Sequence, residues 1–292
     1  MMQVAIYGRK ISKANIQSFY DVFACIQSIG WTIFIEEELA KSLEQKGSLS
    51  FDYNTFNSLR DIKNGIDLVV SMGGDGTFLK CVRYIKDSGV PILGINTGRL
   101  GFLANVSKDQ INEALRDVKA KNYVFQKRSL LSVHVEGESV EEYFALNELA
   151  IHKKDSSSMV AINVYLDDNF LNSYWSDGLI VSTPTGSTAY NLSCGGPIIT
   201  PGCQVHIITP IAPHNLNVRP MVVPDHMSIK MSVEGRGRSY LMSIDGISRN
   251  IKQGQEIKIK KADFMINVIK FENNNFLDTI RNKMLWGIDK RN

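Results

Sequence analysis

The chain has 292 residues, of which 43% are hydrophobic and 22% charged, and its formal net charge is +3. This length suggests about two domains with an ordinary core, and so small a net charge argues against nucleic acid as a partner. No stretch approaches the ~20 apolar residues that cross a bilayer, so we expect no membrane partner. The four cysteines lack metal-type spacing, and without a secretory leader they fit reduced thiols in a cytoplasmic protein.

Residues 1–122 alternate between strand and helix patterns. The patterns predict strands at 3–8, 31–36, 66–72 and 90–96, and helices at 15–30, 77–89 and 108–123. Strands separated by helices imply parallel pairing with right-handed crossovers, so this part is predicted to be a doubly wound, Rossmann-like α/β domain. Residues 36–60 are polar and lack a clear period, and Glu36 to Glu38 are interpreted as the solvated end of a strand.

The pattern changes near residue 124. Alternating apolar runs, separated by glycine, proline and Asp-Asp-Asn turns, continue to about residue 270. We therefore predict an all-β, sandwich-like domain over residues 123–270. The tail, residues 271–292, resumes helical spacing from Phe276 and is predicted to form a C-terminal helix that packs on the first domain.

The stretch "GGDGT", Gly73 to Thr77, follows a buried strand and opens a helix. Ligands of open α/β sheets bind at the carboxyl ends of the strands, and glycines followed by a helix N-terminus suit a phosphate. An acid in this place, Asp75, repels phosphate and makes sense if the site also holds a hydroxyl to be deprotonated or a divalent ion. The alternative is an ordinary strand–turn–helix corner in which Asp75 caps the helix.

A second stretch, residues 175–202, concentrates short hydroxyl side chains around an apolar strand. Thr183, Thr185, Ser187 and Thr188 supply hydroxyls, and Tyr190 offers a ring and a phenol for contacts with a base or a ribose. Hairpin turn chemistry is the alternative explanation for this composition.

A third stretch, "LNEL", places two polar residues, Asn147 and Glu148, inside an apolar run. Successive strand residues face opposite sides, so one of the two is expected to point into the protein or into a site. The alternative is an edge strand on which both side chains are solvated.

Taken together, these stretches resemble the NAD kinase family. The shared motifs occur in the family's order between about residues 67 and 250 and are "GGDGTF" (73–78), "INTGRLGFL" (95–103), "NE" (147–148), "SDGLIVSTPTGSTAYNLS" (176–193) and "GGPI" (195–198). The "GGDGT" motif is also shared with diacylglycerol and sphingosine kinases, whereas "SDGL" and "TPTGSTAY" are far more specific. Trp175 departs from the family pattern, in which arginine often precedes "SDG"; an indole can stack instead.

The resemblance implies ATP-dependent phosphorylation of the adenosine ribose 2'-hydroxyl of NAD to NADP. It also implies a divalent cation, usually Mg²⁺, and a homodimer or homotetramer. By position, Asp75 would be the general base, Gly74, Gly76 and Thr77 would shape the phosphate loop, and Lys80 would reach a phosphate.

The same resemblance assigns the NAD-binding residues. Asn147 and Glu148 would hold the adenine and ribose side, and Asp177 would contact the nicotinamide end. The other dinucleotide-binding positions are Thr185, Thr188, Ala189, Tyr190, Asn191 and Ser193, with Ala212 and Asp245 on a weaker local match.

Two other functions remain as alternatives at this stage. A lipid kinase of similar fold would need an apolar or basic membrane-facing patch, which the sequence does not clearly show. A non-catalytic nucleotide sensor would bind NAD or NADP without turnover, and the intact loop with Asp75 argues against it. The five histidines have no paired spacing and are interpreted as structural or surface residues rather than metal ligands.

Overall fold

The structure is a computed structural model that describes residues 1–9, 11–47, 49–98, 101–139, 142–154, 159–235, 237, 239–272 and 275–285. Its strands, in chain order, are β1 (Gln3–Gly8), β2 (Thr32–Glu36), β3 (Asn54–Phe56), β4 (Leu68–Gly73), β5 (Ile92–Asn96), β6 (Val106–Ser107), β7 (Val124–Val135), β8 (Tyr143–Ala145), β9 (Glu148–His152), β10 (Val160–Leu166), β11 (Asn169–Ser176), β12 (Gly178–Ser182), β13 (Val205–Ile211), β14 (Met221–Pro224), β15 (Ile229–Glu234), β16 (Ser239–Ile244), β17 (Ile247–Lys252) and β18 (Ile257–Lys270). Its α-helices are α1 (Ile16–Ile29), α2 (Glu37–Glu44), α3 (Leu59–Lys63), α4 (Asp75–Ile85), α5 (Ile111–Ala120), α6 (Tyr190–Ser193) and α7 (Phe276–Met284).

The chain divides into two compact units. The first comprises residues 1–127 and 266–292, and the second comprises residues 128–265. The C-terminal helix α7 therefore belongs to the first unit, and β18 begins in the second unit and ends in the first.

The first unit is built on a parallel sheet in the order β5-β4-β1-β2-β3. The chain moves outward from β1 to β3 and then returns to place β4 on the other side of β1, where Ile6 lies opposite Val70. The direction of winding therefore reverses between β1 and β4. This arrangement confirms the predicted doubly wound α/β fold.

Alternation along the strands gives the sheet two apolar faces, as parallel sheets require. Ile6 on one face packs in a core with Phe19 of α1 and Leu115 of α5. On the other face the ring of Tyr7 lies 5.1 Å from the ring of Tyr84 of α4. Each fully buried large apolar side chain of this kind contributes about 1.5–3 kcal/mol of transfer free energy.

The second unit contains two antiparallel sheets. One has the order β14-β13-β12-β9-β16-β17, and the other includes β11-β10-β15-β18. Alternate residues of both sheets, such as Leu149 and Val181 from one and Ile162 and Val233 from the other, form a single core. The β-rich, sandwich-like second domain is thereby confirmed.

Two local expectations were wrong. Glu36 is only 2% exposed, and its carboxylate accepts hydrogen bonds from the Leu39 amide at 2.9 Å and the Tyr84 hydroxyl at 3.3 Å. It is buried because α2 begins directly after β2, so that Glu36 caps the helix instead of ending in solvent. Helix α4 begins at Asp75, two residues before the predicted start at Thr77.

Among the described residues, no helix combines the length and the apolar character that crossing a membrane demands.

Candidate active site

A pocket of about 480 Å³ opens in the first unit. Gly8 ends β1 and Arg9 follows it, Gly74 and Gly76 follow β4, and all four line the pocket. It therefore lies at the carboxyl ends of the two strands between which the winding reverses, which is where doubly wound folds bind ligands. The remaining lining residues are Ile11, Glu38, Leu39, Ser42, Thr77 and Lys80.

The polar lining of this pocket suits an anion. Arg9 donates from Nε to the Tyr7 hydroxyl at 2.9 Å and lies 3.7 Å from the Glu38 carboxylate. Burial raises the pKa of Tyr7 to about 12, so the phenol stays neutral and accepts this bond. The bond in turn raises the pKa of Arg9 above its ordinary value. Arg9 is thus a fixed cation beside Lys80 and the N-terminal end of α4, where backbone amides favour phosphate.

The turn from β4 into α4 requires glycine at its first position. Gly73 has φ +155, and a Cβ there would lie 2.3 Å from the Thr77 hydroxyl oxygen. The carbonyl of Gly74 accepts the amides of Thr77 and Phe78 at 2.9 and 3.1 Å, which closes the first turn of the helix. Gly74 and Gly76 remain exposed to the pocket.

The side chain of Asp75 is directed at a second loop instead of at the pocket lining. Its Oδ2 accepts the Phe102 amide at 2.9 Å, and its Oδ1 accepts the amides of Leu103 and Ala104 at 3.0 and 3.1 Å. Gly101 packs against the same carboxylate, because a Cβ there would lie 1.9 Å from Oδ1. The "GGDGT" and "GFL" segments are therefore joined through one carboxylate. Arg99 and Leu100 of the "INTGRLGFL" motif lie outside the described residues.

Helix α7 brings a cation to the same carboxylate. Lys283 Nζ lies 3.6 Å from Asp75 Oδ2, and the ammonium lies 4.5 Å from the centroid of the Phe102 ring. The side chains of Lys283 and Asp75 are 36% and 29% exposed, so the pair is accessible from solvent.

In the second unit, two of the predicted residues, Glu148 and Tyr190, lie on the face of the six-stranded sheet that is opposite the core. Leu149 and Ile151 of β9 point into the core, so Glu148 and His152 lie on the opposite face. The Tyr190 ring lies 5.6 Å from the His152 ring, and the Tyr190 backbone amide hydrogen-bonds the Glu148 carboxylate. Tyr190 therefore contacts the side chains of both end residues of β9 on this face.

Asp245 fixes the backbone of the Asn147–Glu148 segment. Its Oδ2 accepts the Leu146 amide at 2.7 Å, and its Oδ1 accepts the amides of Asn147 and Glu148 at 2.9 and 3.1 Å. Asp245 and Gly246 both have positive φ and form the two-residue turn between β16 and β17, which is the hairpin geometry that Asp-Gly favours. The structure thus brings Asp245, Asn147 and Glu148 together.

Glu148 is electrostatically unusual. Burial, and then repulsion from Asp245, raise its pKa from the ordinary 4.5 to about 8, against a lowering by the Tyr190 amide. Its Oε2 is buried and has no hydrogen-bond partner among the described residues. An unpaired buried carboxyl oxygen is costly, so this atom is suited to a polar group of a ligand.

The "TPTGSTAY" turn is attached to the same segment. Thr183 Oγ1 donates to the Leu146 carbonyl at 2.5 Å, and Gly186 lies so close that a Cβ would be 2.2 Å from the Asn147 carbonyl oxygen. Thr185 is 7% exposed and accepts from Arg128 Nη1 at 3.3 Å. Close packing, and not turn chemistry alone, therefore explains the threonines and the glycine of this turn.

The other predicted positions differ in their accessibility. Asn191 is fully buried; its amide donates to the carbonyls of Ser187 and Pro197 and its Oδ1 accepts from Thr209 at 2.6 Å. Its side chain is thus engaged within the protein. Ser193 and Ala212 are exposed, and Thr188 and Ala189 are half-buried.

Asp177 lies at the other end of these strands. Gly178 is paired with His152, whereas Ser182 is paired with Glu148. Asp177 precedes Ser182 by five strand steps, so about 17 Å separate the Glu148 level from the Asp177 level. There Asp177 forms an ion pair with Lys153 at 2.5 Å, and its amide donates to the Ile211 carbonyl, next to Ala212.

Sequence reasoning missed several residues around the site. Arg9, Glu38 and Lys283 come from segments without a recognised motif. Arg128, which contacts Thr185, precedes every recognised motif of the second unit. Gly8 is the last residue of β1 just as Gly73 is the last residue of β4, and this parallel was the available signal. Among the described residues, no cluster of three or more His, Cys, Asp or Glu side chains could hold a metal on its own.

Comparison with known proteins identifies the family. The family model of the ATP-NAD kinase N-terminal domain matches residues 4–123, and that of the C-terminal domain matches residues 146–271. The chain belongs to the NAD kinase family. NAD kinases of Flavobacterium psychrophilum and Christiangramia forsetii are 45% and 43% identical to it over 100% of both chains.

Solved structures agree with this fold. An Archaeoglobus fulgidus NAD kinase in complex with ATP is 25% identical with a TM-score of 0.76, covering 97% of this chain and 99% of that one. Yeast NADH kinase complexed with NADH has a TM-score of 0.89 at 24% identity, covering 99% and 89%. As an NAD kinase family member the chain is an enzyme, a kinase, which confirms the resemblance over the lipid-kinase and sensor alternatives.

Proposed function

We propose that the chain transfers the terminal phosphoryl group of ATP to the 2'-hydroxyl of the adenosine ribose of NAD, giving NADP. The observation that carries this proposal is the Asp75 carboxylate at the start of α4, which three amides of residues 102–104 anchor, while its chain neighbours Gly74 and Gly76 line an anion-suited pocket. The similarity to an NAD kinase that was solved with ATP supports the choice of donor.

The phosphates of ATP would occupy the pocket of the first unit. Arg9 and Lys80 supply positive charge, and Gly74, Gly76 and Thr77 present backbone at the helix N-terminus. Because phosphoryl transfer is catalysed mainly by positioning and by charge stabilisation, a fixed guanidinium and a glycine-lined loop are the contributions expected here.

NAD would be held by the outer face of the six-stranded sheet. The unpaired Glu148 Oε2 would accept a ribose hydroxyl, Asn147 would contact the adenine side, and Tyr190 would stack on a ring. Asp177 lies about 17 Å away, a span that suits the nicotinamide end of a dinucleotide. Thr185, Thr188, Ala189, Ser193 and Ala212 would complete the surface, with Asn191 and Asp245 acting through the backbone that they fix.

Asp75 would act as the general base through Oδ2. A carboxylate oxygen accepts about two hydrogen bonds, and Oδ1 already accepts two amides whereas Oδ2 accepts one. The 2'-hydroxyl proton would pass to Oδ2 as the 2'-oxygen bonds to the terminal phosphorus. The bond from that phosphorus to the bridging oxygen breaks, and ADP leaves with the electron pair.

The donor residues fit a magnesium ion that enters with the nucleotide. Mg²⁺ is commonly held by one or two carboxylates together with substrate phosphates and water, and the described residues form no larger ligand cluster. Glu38, which lines the pocket with a 75% exposed side chain, would hold it. When bound, the ion would neutralise charge on the phosphates.

We further propose a homodimer or homotetramer in the cytoplasm. Exposed apolar side chains such as Trp175 (57%) and Leu216 (83%) support self-association. Cys25, Cys81, Cys194 and Cys203 are free thiols, in keeping with a reducing compartment. Light scattering after size exclusion measures the assembly, and a monomer at micromolar concentration would contradict it.

The activity is tested by NADP formation from NAD, ATP and Mg²⁺, detected with an NADP-specific dehydrogenase. Phosphorus NMR of the product then establishes that the new phosphate is on the 2'-oxygen. NADP formation that requires ATP supports the proposal. Absence of NADP, with NAD binding intact by calorimetry, would contradict it.

A further inference from the structure

The C-terminal helix presents one face to the Asp75 loop. Phe276 and Lys283 are seven residues apart, which is two turns of an α-helix, so they share a face with Ile280 between them. Ile280 is 8% exposed. The Phe276 ring lies 6.3 Å from the Phe102 ring, and the Lys283 ammonium lies 4.5 Å from the same ring. Both ends of this helix face therefore contact Phe102.

The same helix face brings positive charge to Oδ2, the oxygen of Asp75 that can accept a further hydrogen bond. Phe102 donates its amide to Oδ2, and Lys283 Nζ lies 3.6 Å from Oδ2. Oδ1 is already bonded to the amides of Leu103 and Ala104. The ammonium is thus placed at the atom that the proposed proton transfer uses.

We propose that Lys283 is a positioning residue for phosphoryl transfer. This inference rests on the proposed kinase activity with Asp75 as the base. Lys283 orients Oδ2 toward the acceptor hydroxyl while its stem and charge rest on Phe102, a cation–π contact. When Oδ2 takes the proton, the carboxylate becomes neutral and the ammonium loses its ionic partner, which leaves its charge available to the transferring phosphoryl group.

This pair is not explained by folding stability. Partly exposed ion pairs contribute little to stability, and both side chains here are about a third exposed. Removing the charge is therefore expected to change turnover much more than the melting temperature.

The test compares three variants. Lys283→Met removes the charge and keeps a long stem on Phe102, Lys283→Arg keeps the charge, and Arg281→Met removes a charge from the same helix, where Arg281 pairs with Asp278. We expect Lys283→Met to lower kcat by about 10- to 100-fold, as a misplaced catalytic group does, with KM for NAD and ATP changed less than about threefold. We expect the kcat of Lys283→Arg and of Arg281→Met to remain within about threefold of the native value.

Two readouts separate positioning from mere packing. Ethylammonium added to Lys283→Ala, in which the truncated side chain leaves room for the amine, should restore part of kcat and should not affect Arg281→Met. Hydrogen exchange at the Phe102, Leu103 and Ala104 amides should accelerate in Lys283→Met, because the carboxylate that accepts them loses its ion pair. A kcat of Lys283→Met within twofold of the native value would overturn the proposal.

Failure of the proposed function gives a different result. If the native chain makes no NADP, the kinase proposal fails, while amide exchange still reports whether Lys283 holds Asp75. Unchanged exchange at Phe102 to Ala104 in Lys283→Met would overturn the positioning role by itself.

Discussion

Gly101→Ala is expected to displace the Asp75 carboxylate. The added Cβ would lie 1.9 Å from Oδ1, 2.7 Å from Cγ and 3.0 Å from Oδ2, with no flexible side-chain end free to give way. Asp75 cannot rotate without losing bonds to the Phe102, Leu103 and Ala104 amides. Hydrogen bonds to a charged group contribute about 1.5–3 kcal/mol each, or about 5–9 kcal/mol for three if they were additive.

A shift of the loop is the cheaper response. Overpacking by one methyl typically costs about 1–3 kcal/mol, well below the loss of all three bonds, so the loop should move with the carboxylate still attached. Oδ2 then leaves its working position, and a misplacement of about 1 Å is expected to lower kcat roughly 100-fold.

The assay is kcat for NADP formation together with the midpoint of urea unfolding. Gly98→Ala is the matched control in the same segment, because its Cβ would meet only Asn96 Oδ1 at 3.7 Å, an ordinary contact. We expect the free energy of unfolding of the control to stay within about 0.5 kcal/mol of the native value, and its kcat to be near native. A Gly101→Ala protein with kcat within twofold of native and an unchanged midpoint would refute the packing described here.

Two further predictions concern the pocket and Glu148. Arg9→Met should raise KM for ATP about tenfold, through loss of a charge-assisted phosphate contact, and leave KM for NAD unchanged; equal effects of Arg9→Met and the exposed-residue control Arg60→Met would contradict this role. The raised pKa of Glu148, about 8 against 4.5, means that the folded state favours the protonated acid, so its stabilising contribution is complete below pH 4.5 and is lost as pH rises toward 8. Relative to Glu148→Gln, the native urea midpoint should therefore fall between pH 5 and 8, by about 0.5 M for a change of 1–2 kcal/mol; parallel pH profiles would show that Glu148 is not desolvated.

Local patterns in the sequence predicted the elements that have strong periodicity. The strand predicted at residues 3–8 is β1, and Gly30 ends α1 in a left-handed conformation. In contrast, α2, β3 and the start of α3 lie within residues 36–60, and these three elements were not predicted, because short polar elements are held by tertiary contacts that leave no period in the sequence. The burial of Glu36 by Tyr84 has the same origin.

The candidate site was predictable wherever one short segment carries it. Gly74, Gly76, Thr77 and Lys80 do lie in one pocket, because strand, turn and helix are consecutive in the chain. Arg9 joins them only because β1 and β4 are neighbours, and strand order cannot be obtained from periodicity.

Asp75 and Asp245 show most clearly what the sequence alone could not predict. Asp75 reaches amides 27 to 29 residues away and Asp245 reaches amides 97 to 99 residues away. Each replaces a missing backbone partner for three consecutive N–H groups, a requirement that depends on the fold and on no local motif. The same holds for Lys283, whose importance arises from contact with Asp75.

The most direct test of the account is the turnover of Asp75→Asn beside the native chain, in the presence of NAD, ATP and Mg²⁺. The amide oxygen can still accept the Leu103 and Ala104 amides, so the fold and NAD binding should persist while proton acceptance is lost. We predict kcat lower by about two decades or more, the size of a lost general base, with calorimetric NAD affinity within about threefold. Near-native turnover by a folded Asp75→Asn protein would contradict the role of Asp75 as the base.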